Sequence, residues 1–248
     1  VEKVQGVHGT AHGDIYGDGY ADILVPTTRG TPPRGMLWAK NPGIPEKRAA
    51  VWERKLIADT FDLPASQHYV RLADVNGDGR LDALHGSHGK TGWFGVWLQK
   101  ADASGWVLKV LGGNTREGTN LDAADMDGDG KADFVGTSGH ATGVWLFPAP
   151  DYDAINIDNT LNSPHCLVLS DFNGDHANDI ATCGYGSRTV AVFLNAGKRQ
   201  FETHVVDTNQ CAYDIQAPDL DGDGDLDILL SGQNSHNVVW YENTGIKP

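Results

Sequence analysis

A nine-residue, aspartate-rich segment occurs five times in this chain and constrains the fold more than any other feature. The copies read DIYGDGYAD from Asp14, DVNGDGRLD from Asp74, DMDGDGKAD from Asp125, DFNGDHAND from Asp171 and DLDGDGDLD from Asp219. Their first aspartates lie 60, 51, 46 and 48 residues apart. A period of that size marks a repeat architecture, in which each unit buries its apolar face against the next.

Crowded carboxylates repel one another unless a cation lies among them. The segments hold 18 of the 33 acidic residues and are the main source of the net charge of −14. Five divalent cations would bring that charge to about −4, an ordinary value for a soluble surface. With no basic stripe to displace counterions, a nucleic-acid partner is excluded.

The spacing indicates which cation. Side-chain oxygens at positions 1, 3, 5 and 9, with a carbonyl near position 7, make a shell of hard donors in a flexible loop, which suits calcium. The expected ligands are Asp14, Asp18 and Asp22 in the first segment, and Asp74, Asn76, Asp78, Asp82 and the Arg80 carbonyl in the second. The third supplies Asp125, Asp127, Asp129, Asp133 and the Lys131 carbonyl; the fourth supplies Asp171, Asn173, Asp175 and Asp179. The fifth supplies Asp219, Asp221, Asp223, Asp225 and Asp227. A helix-loop-helix site would need a glutamate at position 12, where His85, Gly136 and Leu230 stand instead. Solvated Asp-Gly turns would explain one copy but not five in phase. Tyr16 at position 3 of the first segment removes an oxygen, and His176 at position 6 of the fourth replaces a strain-relieving glycine. Three sites are therefore expected to be strong, and these two weak or absent.

Each segment sits in a recurring β frame. An alternating stretch such as HYVRLAD (68–74) precedes it; a short apolar run such as FVGTS or ILLSG follows. A polar loop then leads to a third run (GVWLQ, GVWLF, VAVFLN, VVWYEN) and a fourth (WERKLI, WVLKVL, FETHVV). Four short strands per unit describe a propeller blade. The 31 glycines and 11 prolines suit the many tight turns. The sequence thus predicts an all-β, five-bladed propeller in one domain, 1–248, with blades near 8–57, 68–111, 119–158, 165–206 and 213–241. The fifth unit stops after its third strand, and residues 1–4 are expected to supply the missing one and close the ring, removing exposed edges. No apolar run is long enough to span a bilayer, and VEKVQG fits the start of an already processed, secreted chain. Cys166, Cys183 and Cys211 leave open one disulfide of undetermined pairing and a free thiol.

The units resemble FG-GAP/VCBS repeats, the calcium-loop blades of integrin α-subunit heads and of several secreted fungal and bacterial propellers. The resemblance rests on DxDGDGxxD after an alternating strand and on third strands like VVWYEN, with LWAKNPG (37–43) a variant. It implies that the calcium loops join the first two strands of each blade and stiffen it, while ligands meet the opposite face. Five blades departs from the seven common among such relatives.

That opposite face is built from the approaches to each first strand and the loops between second and third strands. Six residues before each first aspartate stand His8, His68, Thr119, His165 and Tyr213; the other loops add His85, His88, Trp93, His140, Tyr185, Arg188 and His236. Such residues suit sugars, whose hydroxyls need paired donors and acceptors and whose ring faces stack on aromatics. A histidine opening a strand also commonly only packs between blades, as Trp38, Trp97, Trp145 and Trp240 are expected to do, and HGSHG lacks a third ligand for zinc. The favoured reading is a carbohydrate-binding module, with glycans or polysaccharides as partners and no chemistry. A polysaccharide lyase using His68, His165, Tyr213 and Arg188 as base and carboxylate-neutralising groups is the enzymatic alternative. A protein-binding adhesion platform is the third.

Overall fold

The computed structural model describes residues 7–27, 35–44, 52–59, 66–89, 92–102, 104–113, 115 and 117–245. The described residues form five antiparallel sheets and no helix, the blades of a five-bladed β-propeller. The first blade is β1 (Ala11–Gly13), β2 (Asp22–Thr27), β3 (Gly35–Lys40) and β4 (Glu53–Asp59); the second is β5 (Ser66–Ala73), β6 (Asp82–His88), β7 (Phe94–Gln99) and β8 (Trp106–Leu111). The third comprises β9 (Asn120–Ala124), β10 (Asp133–Thr137), β11 (Thr142–Phe147) and β12 (Ile155–Asn162). The fourth comprises β13 (Val168–Ser170), β14 (Asp179–Gly184), β15 (Thr189–Asn195) and β16 (Phe201–Asp207). The fifth has three described strands, β17 (Ala212–Gln216), β18 (Ile228–Gly232) and β19 (Asn237–Tyr241). The expected closing strand at residues 1–4 lies outside the described residues.

Neighbouring strands in each sheet follow chain order, as short hairpins require. The sequence frame explains their burial. Second strands β10 and β14 are apolar or small at every position after the opening aspartate, β6 adds two histidines, and all three are buried along almost their whole length. Outer strands β8, β12 and β16 alternate in composition and keep one face in water. Charged residues there, Lys109 and Glu202 among them, discourage pairing with a foreign strand.

The chain divides into two compact units, 1–121 and 122–248. In the first, Ile15, Leu24, Met36, Trp38 and Ile57 of blade one pack against Val70 and Ala83 of blade two. The second holds two such cores. Met126, Val135, Val144, Leu146 and Leu161 meet Leu167, Ile180, Ala191 and Phe193, while Cys166, Phe172, Cys183 and Val192 meet Ala212, Ile215, Ile228 and Leu230. Each core lies between consecutive blades, so a blade gains its stability from its neighbour. All three cysteines are buried and free, and burial raises the Cys183 thiol to about 11.

Candidate functional site: acidic loops at one end of the blades, histidines and aromatics at the other

The acidic segments occupy the turns between first and second strands and share one hydrogen-bond pattern. The position-1 aspartate turns back on its own loop. Its Oδ1 accepts the N–H of Gly17, Gly77, Gly128, Gly174 or Gly222 at 2.7–2.8 Å. Its Oδ2 accepts the position-6 N–H at 2.7–3.2 Å. These bonds hold the Asp74 carboxyl below its ordinary range, the Gly79 N–H contributing most. Position 6 has φ of 82–98° where it is glycine, and His176 is held at 69°, in a region that disfavours a side chain. The fourth loop therefore keeps the turn at a cost in strain, with the imidazole projecting into solvent.

Position 9 is the buried end of each loop. Asp22, Asp82, Asp133, Asp179 and Asp227 are buried, none more than 1% exposed. One oxygen of each accepts the N–H of loop position 2 (Ile15, Val75, Met126, Phe172, Leu220) at 2.8–3.3 Å. The other accepts an N–H at or just beyond the end of the third strand (Asn41, Gln99, Ala149, Asn195, Asn243) at 2.7–2.8 Å. Each is thus a main-chain staple joining three segments of its blade. Burial raises the carboxyls of Asp22, Asp82, Asp133 and Asp179 above their ordinary value.

A metal could draw on positions 1, 3 and 9 of the third loop and on positions 1, 3 and 5 of the fifth. Carboxylate oxygens of Asp125, Asp127 and Asp133, and of Asp219, Asp221 and Asp223, converge to within 4.8 Å, so these two clusters could hold a metal ion. Their donors are hard oxygens, which fits calcium chemistry. In other loops Tyr16, Asn76 or Asn173 stands at position 3. Cations already partner position 5 in three loops: Lys40 lies 3.2 Å from Asp18, Arg80 pairs with Asp78, and Lys131 donates to Asp129 at 2.7 Å. The fifth loop has Asp225 where Arg80 and Lys131 stand, and so carries the most negative cluster.

At the other end of the blades the expected residues separate into exposed and buried sets. In the first unit His85 is fully buried. Its Nε2 accepts from Trp97 Nε1 at 3.1 Å, its ring meets Trp93 at 4.7 Å, and burial lowers its pKa to about 3. It is therefore a neutral packing group and not a surface ligand as expected. His68 is also buried, 4.3 Å from His8 and 5.9 Å from His88 between ring centres. His88 is half-buried, with Nδ1 3.1 Å from Glu117.

The second unit gathers more of the expected residues. Tyr213 stacks on His165 at 4.4 Å, Tyr185 lies edge-on to both at 5.6 and 5.1 Å, and His140 meets His165 at 4.7 Å. His165 is buried, with its Nδ1 3.1 Å from the Ser163 carbonyl. Tyr185 and Tyr213 are half-buried, while His140 and Arg188 are exposed. Around them Asn234 Nδ2 donates to the Tyr185 hydroxyl, and Arg188 donates to Asn209 Oδ1 at 2.7 Å. Arg188 and His236 hold matching turn positions at φ of 59° and 54°, and His236 is exposed. Two of the four tryptophans expected to pack anchor their indoles by hydrogen bonds, Trp97 to His85 and Trp145 to Ser138. Trp38 is buried, whereas Trp240 is 45% exposed on the outermost described strand of its sheet.

One recurring device was not read from the sequence. A side-chain amide at or just past the end of the third strand reaches the position-2 carbonyl of the preceding blade: Gln99 to Ile15 at 3.0 Å, Asn195 to Met126 at 2.7 Å and Asn243 to Phe172 at 2.8 Å. The Asn-x-Gly triplets at 195–197 and 243–245 were its available signal in two of the three cases, since those asparagines also accept the glycine N–H in a turn.

The comparisons with known proteins follow the repeat. Residues 171–230 match the family model described as an FG-GAP-like repeat. No curated protein matches the chain in sequence. The biofilm matrix protein Bap1 of V. cholerae is similar in structure, with TM-score 0.57 and 17% identity over 95% of this chain, which spans 37% of that one. A GH43_1 enzyme from Xanthomonas citri aligns with TM-score 0.47 and 11% identity over 94% of this chain and 86% of that one. The chain is a five-bladed β-propeller that carries an FG-GAP-like repeat over residues 171–230.

Proposed function

We propose that the protein is a secreted, calcium-stabilised propeller that binds carbohydrate through the blade ends opposite the acidic loops. The observation carrying this reading is the His165–Tyr185–Tyr213 cluster, rimmed by His140, Arg188, Asn209 and Asn234. Half-buried aromatic faces beside amide, hydroxyl and guanidinium groups offer a sugar both a stacking plane and paired donors and acceptors. Calcium at the acidic loops would neutralise charge and fix the turns. Such exposed loops suit the weak extracellular affinity range, with Kd about 10⁻⁴–10⁻³ M.

The lyase alternative is less well supported. The buried His165 and its counterpart His68 are poorly placed to take a proton from a substrate in solvent. Burial raises the Tyr213 phenol further above its ordinary range, away from a base at neutral pH.

Retention of the calcium-loaded protein on a panel of immobilised neutral and acidic glycans tests the proposal. The expected result is retention on at least one glycan, reduced about tenfold or more by Tyr185→Ala, a loss of stacking worth about 1.4 kcal/mol. Retention on none, or retention unchanged in Tyr185→Ala, would refute it.

A further inference from the structure

The five loops share a motif, and Tyr16 breaks it by placing a phenol where the other loops have Asn or Asp. The structure shows where that side chain goes. Tyr16 is half exposed and turns toward Trp38 on β3, with ring centres 6.2 Å apart. Lys40 Nζ lies 3.1 Å above the Tyr16 ring, and Lys55 Nζ lies 5.3 and 5.4 Å from the Tyr16 and Trp38 rings. Tyr16, Trp38 and Lys55 form one wall of a crevice of about 400 Å³ between blades one and two. Trp106, Arg80 and Gln99 of blade two form the other wall. Its volume lies within the range of small-molecule sites.

The corresponding crevices of the second unit lack this chemistry. In register, Trp38 corresponds to Leu146 and Val192, each paired to the same place on its second strand. Lys55 corresponds to Ile155 and His204. At Arg80's loop position the next blades offer Ala177 and Asp225. Between blades three and four, Arg199 spans to Asp127 at 3.1 Å and occupies the region with an internal ion pair. The cavity between blades four and five, about 190 Å³, is lined by Val192, Val206, Leu226 and Ile228 with no lysine or arginine. A repeat copies what the blade needs for packing, so a feature that the two crevices of the second unit lack requires another cause.

Three aromatic side chains supply planes for an apolar ring face, and two cations supply a place for one anion. The Arg80 Nε is buried without a hydrogen-bond partner, although its Nη2 is held by Asp78. Around the two cations stand Asp14, Asp78 and Glu53, the last 3.9 Å from Lys55 Nζ; these carboxylates would repel a continuous polyanion. We propose that this crevice binds a single uronic-acid residue within an otherwise neutral glycan, its ring against the aromatics and its carboxylate toward Lys55 and Arg80. The site is separate from the histidine and tyrosine cluster and does not depend on that cluster's role. It also gives a physical reason for Tyr16, a side chain spent on a wall instead of on a metal.

Isothermal titration at one fixed calcium concentration, with cellobiouronate and its neutral counterpart cellobiose as probes, tests the proposal. Cellobiouronate is expected to bind at one site per chain, and cellobiose about tenfold more weakly or not at all. Lys55→Gln, a change at an exposed side chain, should weaken cellobiouronate about tenfold, the effect of losing one charge-assisted contact. Trp106→Ala, with its melting temperature checked, should do the same, while Tyr185→Ala should leave binding unchanged. Equal binding of the two sugars, absence of cellobiouronate binding, or wild-type affinity in Lys55→Gln would overturn the proposal. Loss in Tyr185→Ala with wild-type affinity in Lys55→Gln would assign the sugar to the other blade end.

Discussion

An aspartate at position 9 and one at position 5 look alike in the sequence, yet the fold uses them differently. Asp179 is fully buried and satisfies the N–H groups of Phe172 and Asn195, both at 2.8 Å. Asp175 is exposed and faces its own loop. Removing the first strands two buried donors, each costing about 1–3 kcal/mol. In EDTA, Asp179→Ala should therefore melt at least about 5 °C below wild type. Asp175→Ala should remain within about 2 °C, because surface changes rarely exceed 0.5 kcal/mol. Thermal melts of the two variants check this, and equal losses without metal would show that position 9 has no separate role. The spacing made both residues visible as oxygen donors. It could not show burial, because what covers position 9 is the packing of a second strand between blades. His85 was misread for the same reason: a loop-adjacent histidine becomes a core residue once Trp93 and Trp97 close over it.

At the level of the strand and turn, much of the fold was legible. The alternating run, the acidic turn, the short apolar run and the amphipathic outer run recur in order, and each became the expected strand of a four-stranded sheet wherever all four are described. What joins one blade to the next was less legible, since Asn195 reaches Met126 across 69 positions of sequence. Apolar composition predicts that blades pack, but does not identify the polar contact that sets their register. Asn195→Ala removes that bond and the turn bond to Gly197. The expected loss is about 2–3 kcal/mol, seen as a lower urea midpoint at unchanged m-value. An unchanged midpoint would mean that the apolar core alone fixes the blades. The outward-turned Tyr16 teaches the complementary lesson: a lapse in a repeat was visible at once, but its reason lay in Trp38, Lys55 and the next blade's Trp106 and Arg80.

Over the whole molecule, the repeat period and the net charge of −14 pointed to the architecture and to its expected counterion. The period was sufficient for the propeller, because only a stack of like units buries the faces that each unit leaves open. The ligand could not be read as directly, since it depends on which loop side chains stay exposed after folding. Cation binding at these loops should add stability beyond the main-chain bonds of the position-1 and position-9 aspartates, because it relieves the repulsion among the exposed carboxylates. Its most direct test is the melting temperature of one preparation in saturating calcium, in magnesium and in EDTA. A single site filled to a hundred times its Kd adds about 2.7 kcal/mol, or about 5–11 °C for a chain of this size. A rise of that order in calcium over EDTA is expected, with magnesium well below calcium. Coincident melts in calcium and EDTA would contradict it and leave the acidic segments as turns held by their own main chain.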